Sequence, residues 1–129
     1  MLNVERLHHI AVICSDYVRS KFFYTEILGF SIDQETFRPE RASYKLDLSL
    51  SGQYLIELFS FPDPPSRPTR PESTGLRHIA FGVRDIDKEV AYLNAMNITT
   101  ELIRTDEITH KKFTFFYDPD DLPIELYEL

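Results

Sequence analysis

The chain has 129 residues, of which 43% are hydrophobic and 27% charged, so we expect one globular domain with a real hydrophobic core. Its formal net charge of −7 argues against nucleic acid and polybasic membrane contacts. No apolar run approaches the roughly 20 residues of a spanning helix, and the first residues do not resemble a signal peptide. Because the lone Cys14 forms no internal disulfide, we expect a cytoplasmic protein.

The first half is predicted to fold as β-α-β-β-β. Residues 6–13 are rich in β-forming side chains and alternate, which indicates a strand with His9 and Ala11 on one face. Asp16 is a helix N-cap and Gly29 a C-cap for a helix over 17–28. The apolar residues at helical spacing are Val18, Phe22, Phe23 and Ile27. The remaining predicted strands span 30–36, 44–50 and 53–61.

A proline-rich linker separates the halves. Five of the eight prolines fall in residues 62–75, where they favour an extended backbone. This gives module one at 1–61, the linker at 62–75 and module two at 76–129. We interpret Arg67 and Arg70 as solubilising charges, with anion binding over a cavity as the alternative.

The second half repeats the plan. A strand is predicted at 77–83, and a helix capped by Asp85 extends to about Met96, with Asn97 as a C-cap. Three further strands are predicted at 99–104, 112–117 and 122–127.

Two motifs occur once in each half. Leu-His-His-Ile-Ala-Val at 7–12 is echoed by Leu-Arg-His-Ile-Ala-Phe at 76–81, and Ile-Glu-Leu occurs at 56–58 and 124–126. Each half thus supplies one imidazole and one carboxylate at nearly the same separation. Strand alternation places each imidazole and each carboxylate on one face of its strand, and the opposite face of that strand is strongly apolar.

The repeat predicts that His9, Glu57, His78 and Glu125 meet at one metal ion. A carboxylate flanked by buried aliphatic residues is costly to desolvate unless it is paired, and a metal would offset that cost. Two imidazoles and two carboxylates suit Zn, Ni, Co, Fe or Mn. A single His or Glu would more often be structural, but their joint repetition favours ligation. His8 and Cys14 are assigned to the helix-facing side, and His110 to a solvated loop.

These motifs, together with Phe23-Tyr24, Leu28-Gly29-Phe30 and Asp118-Pro119-Asp120, resemble the vicinal oxygen chelate superfamily, which includes glyoxalase I, bleomycin-resistance proteins and extradiol dioxygenases. The resemblance implies an α+β fold in which two βαβββ modules form an eight-stranded, partly closed sheet around a divalent metal, with Zn or Ni favoured. The glyoxalase I ligand pattern of His, Glu, His, Glu maps onto the four residues of the repeat. A homodimer is expected on family grounds, with the site formed within one chain or across two.

The resemblance favours a glyoxalase-I-like lyase or isomerase that acts on a small oxygen-chelating substrate through a metal-stabilised enediolate. Glu57 or Glu125 would be the catalytic base. Ile13 and Phe61 stand where bacterial glyoxalase I has glutathione-binding Arg and Asn, so strict glutathione dependence is not expected. Asp121 stands where the family's turn has Gly, a local departure.

The substrate contacts proposed from strand phase are Phe59, Phe61, Phe113, Phe115, Lys112 and Tyr127. Three alternatives remain open. They are an Fe(II) extradiol-type dioxygenase, a non-catalytic binding protein, and a thiol-transferring resistance protein.

Overall fold

The computed structural model describes residues 1–129 as two compact units, Met1–Pro65 and Ser66–Leu129. The boundary between them falls inside the predicted linker, residues 62–75, where the backbone forms neither helix nor strand. No helix combines the length and apolar composition that crossing a bilayer requires.

Eight strands and two α-helices make up the units. In the first unit they are β1 (Ile10–Cys14), α1 (Tyr17–Phe22), β2 (Ser31–Arg38), β3 (Ser43–Leu50) and β4 (Gln53–Ser60), with a π-helical segment at Phe23–Ile27 and a 3-10 turn at Pro39–Arg41. In the second unit they are β5 (Ile79–Val83), α2 (Ile86–Ala95), β6 (Arg104–Thr105), β7 (Lys112–Tyr117) and β8 (Pro123–Glu128).

The two sheets have the same topology, which confirms the predicted pair of βαβββ modules. Their strand orders are β1-β4-β3-β2 and β5-β8-β7-β6. The first and last strands of each module pair in parallel, whereas the other neighbours are antiparallel. The eight strands therefore form two four-stranded sheets, neither closed into a barrel.

The predicted helix over 17–28 changes type part-way and buries a different row of side chains. Asp16 caps it as predicted, accepting a hydrogen bond from the Arg19 amide at 3.1 Å. The buried residues are Ser20, Phe23 and Tyr24, whereas Val18 is 78% and Phe22 52% exposed. The prediction that Val18 and Phe22 lie on the apolar face of the helix was therefore wrong. The buried face begins at the small Ser20 and continues three and four residues later, at Phe23 and Tyr24.

The predicted strand at 99–104 is reduced to Arg104–Thr105. The Glu101 amide donates to the Phe115 carbonyl at 2.8 Å, but the Glu101 carbonyl accepts from the Thr114 hydroxyl instead of a backbone amide. Glu101 therefore contacts β7 outside the register that pairs Arg104 with Phe113, and it does not extend the ladder.

The apolar faces of the paired strands form the cores as predicted. Val12, Cys14, Ile56 and Leu58 are buried in the first unit, and Ile79, Ile124 and Leu126 in the second. Strand alternation therefore leaves the histidine and glutamate face of each sheet outside its core.

Candidate metal centre

The same strand register brings a histidine and a glutamate together in each unit. In the first, Ala11 is the partner of Glu57 across the parallel pair, and in the second Ala80 is the partner of Glu125. Both strands begin later than predicted, so that each histidine lies one residue before its strand and two before the alanine, and its imidazole comes to the same side as the carboxylate. Alanine leaves space beside the carboxylate that a larger side chain would fill.

The resulting distances are short in both units. His9 Nε2 lies 3.5 Å from Glu57 Oε2, and His78 Nε2 lies 3.1 Å from Glu125 Oε2. Each glutamate side chain is only 14% exposed. Each unit therefore places its predicted pair within contact distance, and within either unit no group of three or more His, Cys, Asp or Glu side chains could hold a metal ion.

The donor chemistry fits a divalent ion of the borderline class, because both pairs present an imidazole nitrogen beside a carboxylate oxygen. The other ring nitrogens already have partners. His9 Nδ1 lies 2.8 Å from His8 Nδ1, and Arg77 donates to His78 Nδ1 at 3.0 Å. Because arginine is only a donor, this bond assigns the proton of neutral His78 to Nε2. Ligation through Nε2 would require that proton to move and Arg77 to withdraw.

Glu57 lies in a polar cluster. The Tyr54 hydroxyl donates to its carboxylate, and Lys45 Nζ lies 3.7 Å from it. Lys45 also pairs with Asp47 at 2.5 Å, and Asp47 is the cross-strand partner of Glu57. Partial burial and the bond to Glu57 raise the pKa of the Tyr54 hydroxyl, so Tyr54 remains a donor at neutral pH.

Glu125 has an aromatic neighbourhood instead. Phe115 is its cross-strand partner on β7, and Phe113 is paired with Tyr127 on the same face. The Phe115 ring also meets His78 edge-on, with the centroids 5.2 Å apart. His78 is the only ion-pair partner of the Glu125 carboxylate.

Tyr54 was not among the predicted site residues, and a β-bulge explains why. Strict alternation would place it on the face of Ile56 and Leu58. The pairing of β3 with β4 shifts between Leu48 and Ser49, so that Leu55 is the extra residue. A bulge reorients the following side chains, and the Tyr54 hydroxyl consequently reaches Glu57. Nothing in the sequence pattern marks the bulge.

The proposed substrate contacts lie in three places: Phe59 and Phe61 in the first unit, the ring residues of β7 and β8 described above in the second, and Lys112 apart from both. Phe59 and Phe61 stack with centroids 5.9 Å apart, and Arg41 lies over the Phe61 ring at 4.7 Å. Lys112 differs because it points to the other face of its strand and pairs with Asp87 of α2 at 2.8 Å. That hydrogen bond raises the pKa of Lys112. Lys112 therefore does not lie among the aromatic residues with which it was grouped.

The two linker arginines have hydrogen-bond partners at a cavity, which suits the alternative of anion binding better than that of solubilising charges. Both Arg67 and Arg70 line a cavity of about 260 Å³ in the second unit. Arg67 bonds to Thr69 and to the carbonyls of Leu76 and Arg77, and Arg70 pairs with Asp121 at 2.7 Å. Arg67 is half-buried and the Arg70 side chain is 59% exposed, so both lie on the cavity wall within reach of solvent.

Residues 6–126 match the sequence profile of the glyoxalase/bleomycin resistance protein/dioxygenase superfamily. The chain belongs to this superfamily. It is 64% identical to the uncharacterised protein YwkD of Bacillus subtilis over 97% of this chain and 98% of that protein, and 59% identical to YaeR of Escherichia coli over 99% of each. A glyoxalase family protein from Enterococcus faecalis has 48% identity and a TM-score of 0.89 over 96% of this chain and 98% of its own.

Structures of superfamily members with known ligands are more distant. The trypanothione-dependent glyoxalase I of Leishmania major is 27% identical, with a TM-score of 0.72 over 97% of this chain and 87% of its own. A second structure is the fosfomycin resistance protein FosX of Listeria monocytogenes in complex with Mn(II) and a dihydroxypropylphosphonic acid. It is 19% identical, with a TM-score of 0.74 over 97% of this chain and 93% of its own. The FosX likeness shows the shared fold.

Proposed function

We propose that this protein is a divalent-metal-dependent lyase or isomerase of the glyoxalase I type, with His9, Glu57, His78 and Glu125 as metal ligands. The observation that carries the proposal is the duplicated His and Glu pair, which both units present in the same register. Zn or Ni suits this donor set, with Co, Fe or Mn as further candidates. The metal-bound relative FosX supports the choice of a metal for this fold.

A bound divalent ion would supply Lewis-acid polarisation of a substrate oxygen, which makes a neighbouring C–H bond more acidic. The chain must then supply a base that takes the proton from one carbon and returns it to the next. Glu125 suits this role because His78 is its only ion-pair partner and its cross-strand neighbour is the buried Phe115. Glu57 is held by Tyr54 and faces Lys45, so we assign it a fixed ligand role.

The aromatic residues near each pair would limit the access of water to the reacting carbons. Phe113, Phe115 and Tyr127 provide this wall in the second unit, and Phe59 and Phe61 do so in the first. Lys112 has no part in the proposal because its ammonium group is paired with Asp87.

The substrate is proposed to be a small α-hydroxycarbonyl compound or thiol adduct that offers two neighbouring oxygens. Strict dependence on glutathione is not proposed, since Ile13 is 54% exposed and Phe61 is stacked between Phe59 and Arg41. Neither side chain can accept or donate the hydrogen bonds that an amide or carboxylate of glutathione requires. The glyoxalase I of Leishmania major is trypanothione-dependent, and a thiol other than glutathione is proposed here as well.

The test measures metal content and turnover on the same preparations. We expect about one divalent ion per set of four ligands and turnover of a methylglyoxal adduct with at least one thiol from a panel. His78→Ala should lower the metal content several-fold. The matched control is His110→Asn, which removes an exposed imidazole outside the pairs and keeps a residue that tolerates the local φ of 60°. Full metal retention in His78→Ala would contradict the site.

A homodimer is part of the proposal, and co-expression of His9→Ala with His78→Ala locates the site. If the four ligands come from two subunits, a mixed dimer contains one intact set and metal binding returns. If they come from one chain, no mixed dimer contains an intact set.

Oxygen uptake with catechols would instead support an extradiol dioxygenase, and ligand binding with no product would support a binding protein.

A further inference from the structure

The cavity of about 260 Å³ in the second unit is lined by an unusual number of arginines for a chain of net charge −7. It lies between the linker end of the unit and strands β6, β7 and β8. Its charged and aromatic lining residues are Arg67, Arg70, Arg77, Arg104, Glu72, Glu101, Phe115 and Tyr117. The walls therefore carry four guanidinium groups and two carboxylates.

The internal partners leave this positive charge incompletely balanced. Arg67 is half-buried, and all its hydrogen-bond partners are neutral oxygens, namely the Thr69 hydroxyl and two backbone carbonyls. Arg70 pairs closely with Asp121 at 2.7 Å. Arg77 and Arg104 are 3.7 Å from Glu72 and Glu101 respectively, longer than charge-assisted hydrogen bonds.

Three of the four guanidinium groups lie beside aromatic rings of the cavity. Arg77 and Arg104 each lie over the Phe115 ring, 5.8 Å from its centroid, and Arg70 lies over Tyr117 at 4.6 Å. Stacking on a ring leaves the edge of the guanidinium plane available for hydrogen bonds. Less side-chain freedom is then lost when an anion binds.

We propose that this cavity binds the oxyanion of a small molecule, either a carboxylate or a phosphate or phosphonate group. Its volume corresponds to roughly nine water molecules at about 30 Å³ each. Because the cavity is open to solvent, an anionic head group can enter it while the rest of the ligand remains outside. Arginine's planar fork matches the geometry of such oxygens.

The cavity shares Phe115 with the proposed metal centre, because that ring contacts both Arg77 and His78. The anion is therefore assigned to the substrate itself: an acidic compound whose charged end lies among the arginines while its reacting carbons lie near Glu125. This assignment to substrate rests on the proposed function, whereas anion binding by the cavity does not.

The test is an NMR titration of the ¹⁵N-labelled full chain, as purified and after treatment with chelator. The probes are inorganic phosphate, methylphosphonate and acetate, with neutral glycerol as a control. We expect amide shifts confined to residues 67–77, 101–104 and 115–117, and we expect added NaCl to weaken binding. Selective binding of phosphate and methylphosphonate would identify a phosphoryl or phosphonyl group, and comparable binding of acetate would identify a carboxylate.

Arg104→Gln should raise the dissociation constant about tenfold, the effect of losing one charge-assisted hydrogen bond. The matched control is Arg84→Gln, which removes the same charge from an exposed position of the same unit outside the cavity and should change affinity less than about twofold. The spectra also report whether each variant is folded.

Equal losses in both variants, shifts scattered over the surface, or no saturable binding would overturn the proposal and indicate an adventitious ion only. Binding that persists after chelation supports the cavity even if the chain holds no metal. The metal-content measurement on His78→Ala then decides the proposed function separately.

Discussion

The two half-sites of this molecule, His9 with Glu57 and His78 with Glu125, have the same strand register and differ in the residues around the carboxylate. Glu57 has Tyr54 three residues before it and Asp47 opposite it, whereas Glu125 has Leu122 and Phe115 at the corresponding places. The next cross-strand pair differs in the same way, because Lys45 of the first unit corresponds in position to Phe113 of the second. Both units contain the same histidine and glutamate pair, whereas the neighbours of the glutamate are polar in the first unit and largely aromatic in the second.

This difference separates two roles that a metal-binding carboxylate can have. A carboxylate held by a tyrosine and facing a lysine has defined hydrogen-bond partners and loses them if it moves. A carboxylate among aromatic rings with one histidine partner loses fewer contacts when it moves toward a substrate. The half-sites thus suit a fixed ligand in the first unit and a proton carrier in the second.

The largest expected effect is that of Glu125→Gln compared with Glu57→Gln. We expect Glu125→Gln to lower kcat by about 10²–10⁴-fold, the usual contribution of a general base, while much of the metal remains bound. Glu57→Gln should mainly lower metal affinity, and excess metal should restore part of its activity. Metal titration and turnover on both variants measure the difference. Equal losses of kcat at saturating metal would remove the distinction between the half-sites.

A smaller effect is expected for Tyr54→Phe, which removes the hydroxyl that holds Glu57. Loss of an outer partner typically lowers metal affinity about 10–100-fold, and the lower end applies here because Lys45 remains nearby. Tyr92→Phe, on the surface of α2, is the matched control. An unchanged metal affinity in Tyr54→Phe would show that the polar cluster does not hold the ligand.

The smallest effect, in the opposite direction, is expected for Arg77→Gln. The glutamine carbonyl can accept the Nδ1 proton that a metal-bound His78 would carry, whereas Arg77 can only donate. We therefore expect metal to bind a few-fold more tightly, as a competition titration with a chelator would reveal. The same variant should bind phosphate less tightly, since Arg77 lines the cavity. Weaker metal binding in Arg77→Gln would contradict the tautomer assigned to His78.

The elements that the sequence predicted correctly depend on local signals. Asp16 and Asp85 cap their helices because a carboxylate accepts amide hydrogens of the first turn in any tertiary setting. Alternation over a few residues was sufficient to place His9 opposite the face of Val12, and His78 opposite that of Ile79. The donor pairs then follow from duplication, since both modules pair their first and last strands in one register.

Tertiary structure decided the features that depend on contacts between distant segments. The bulge at Leu55 places Tyr54 beside Glu57, and no periodic pattern encodes an inserted residue. Glu101 contacts β7 outside the register of β6, which is a long-range contact. The arginines from the linker and β6 form one cavity only when the chain has folded. The sequence by itself determined the two histidine and glutamate pairs and their faces because strand alternation is local. The neighbours that distinguish Glu57 from Glu125 depend on packing across strands.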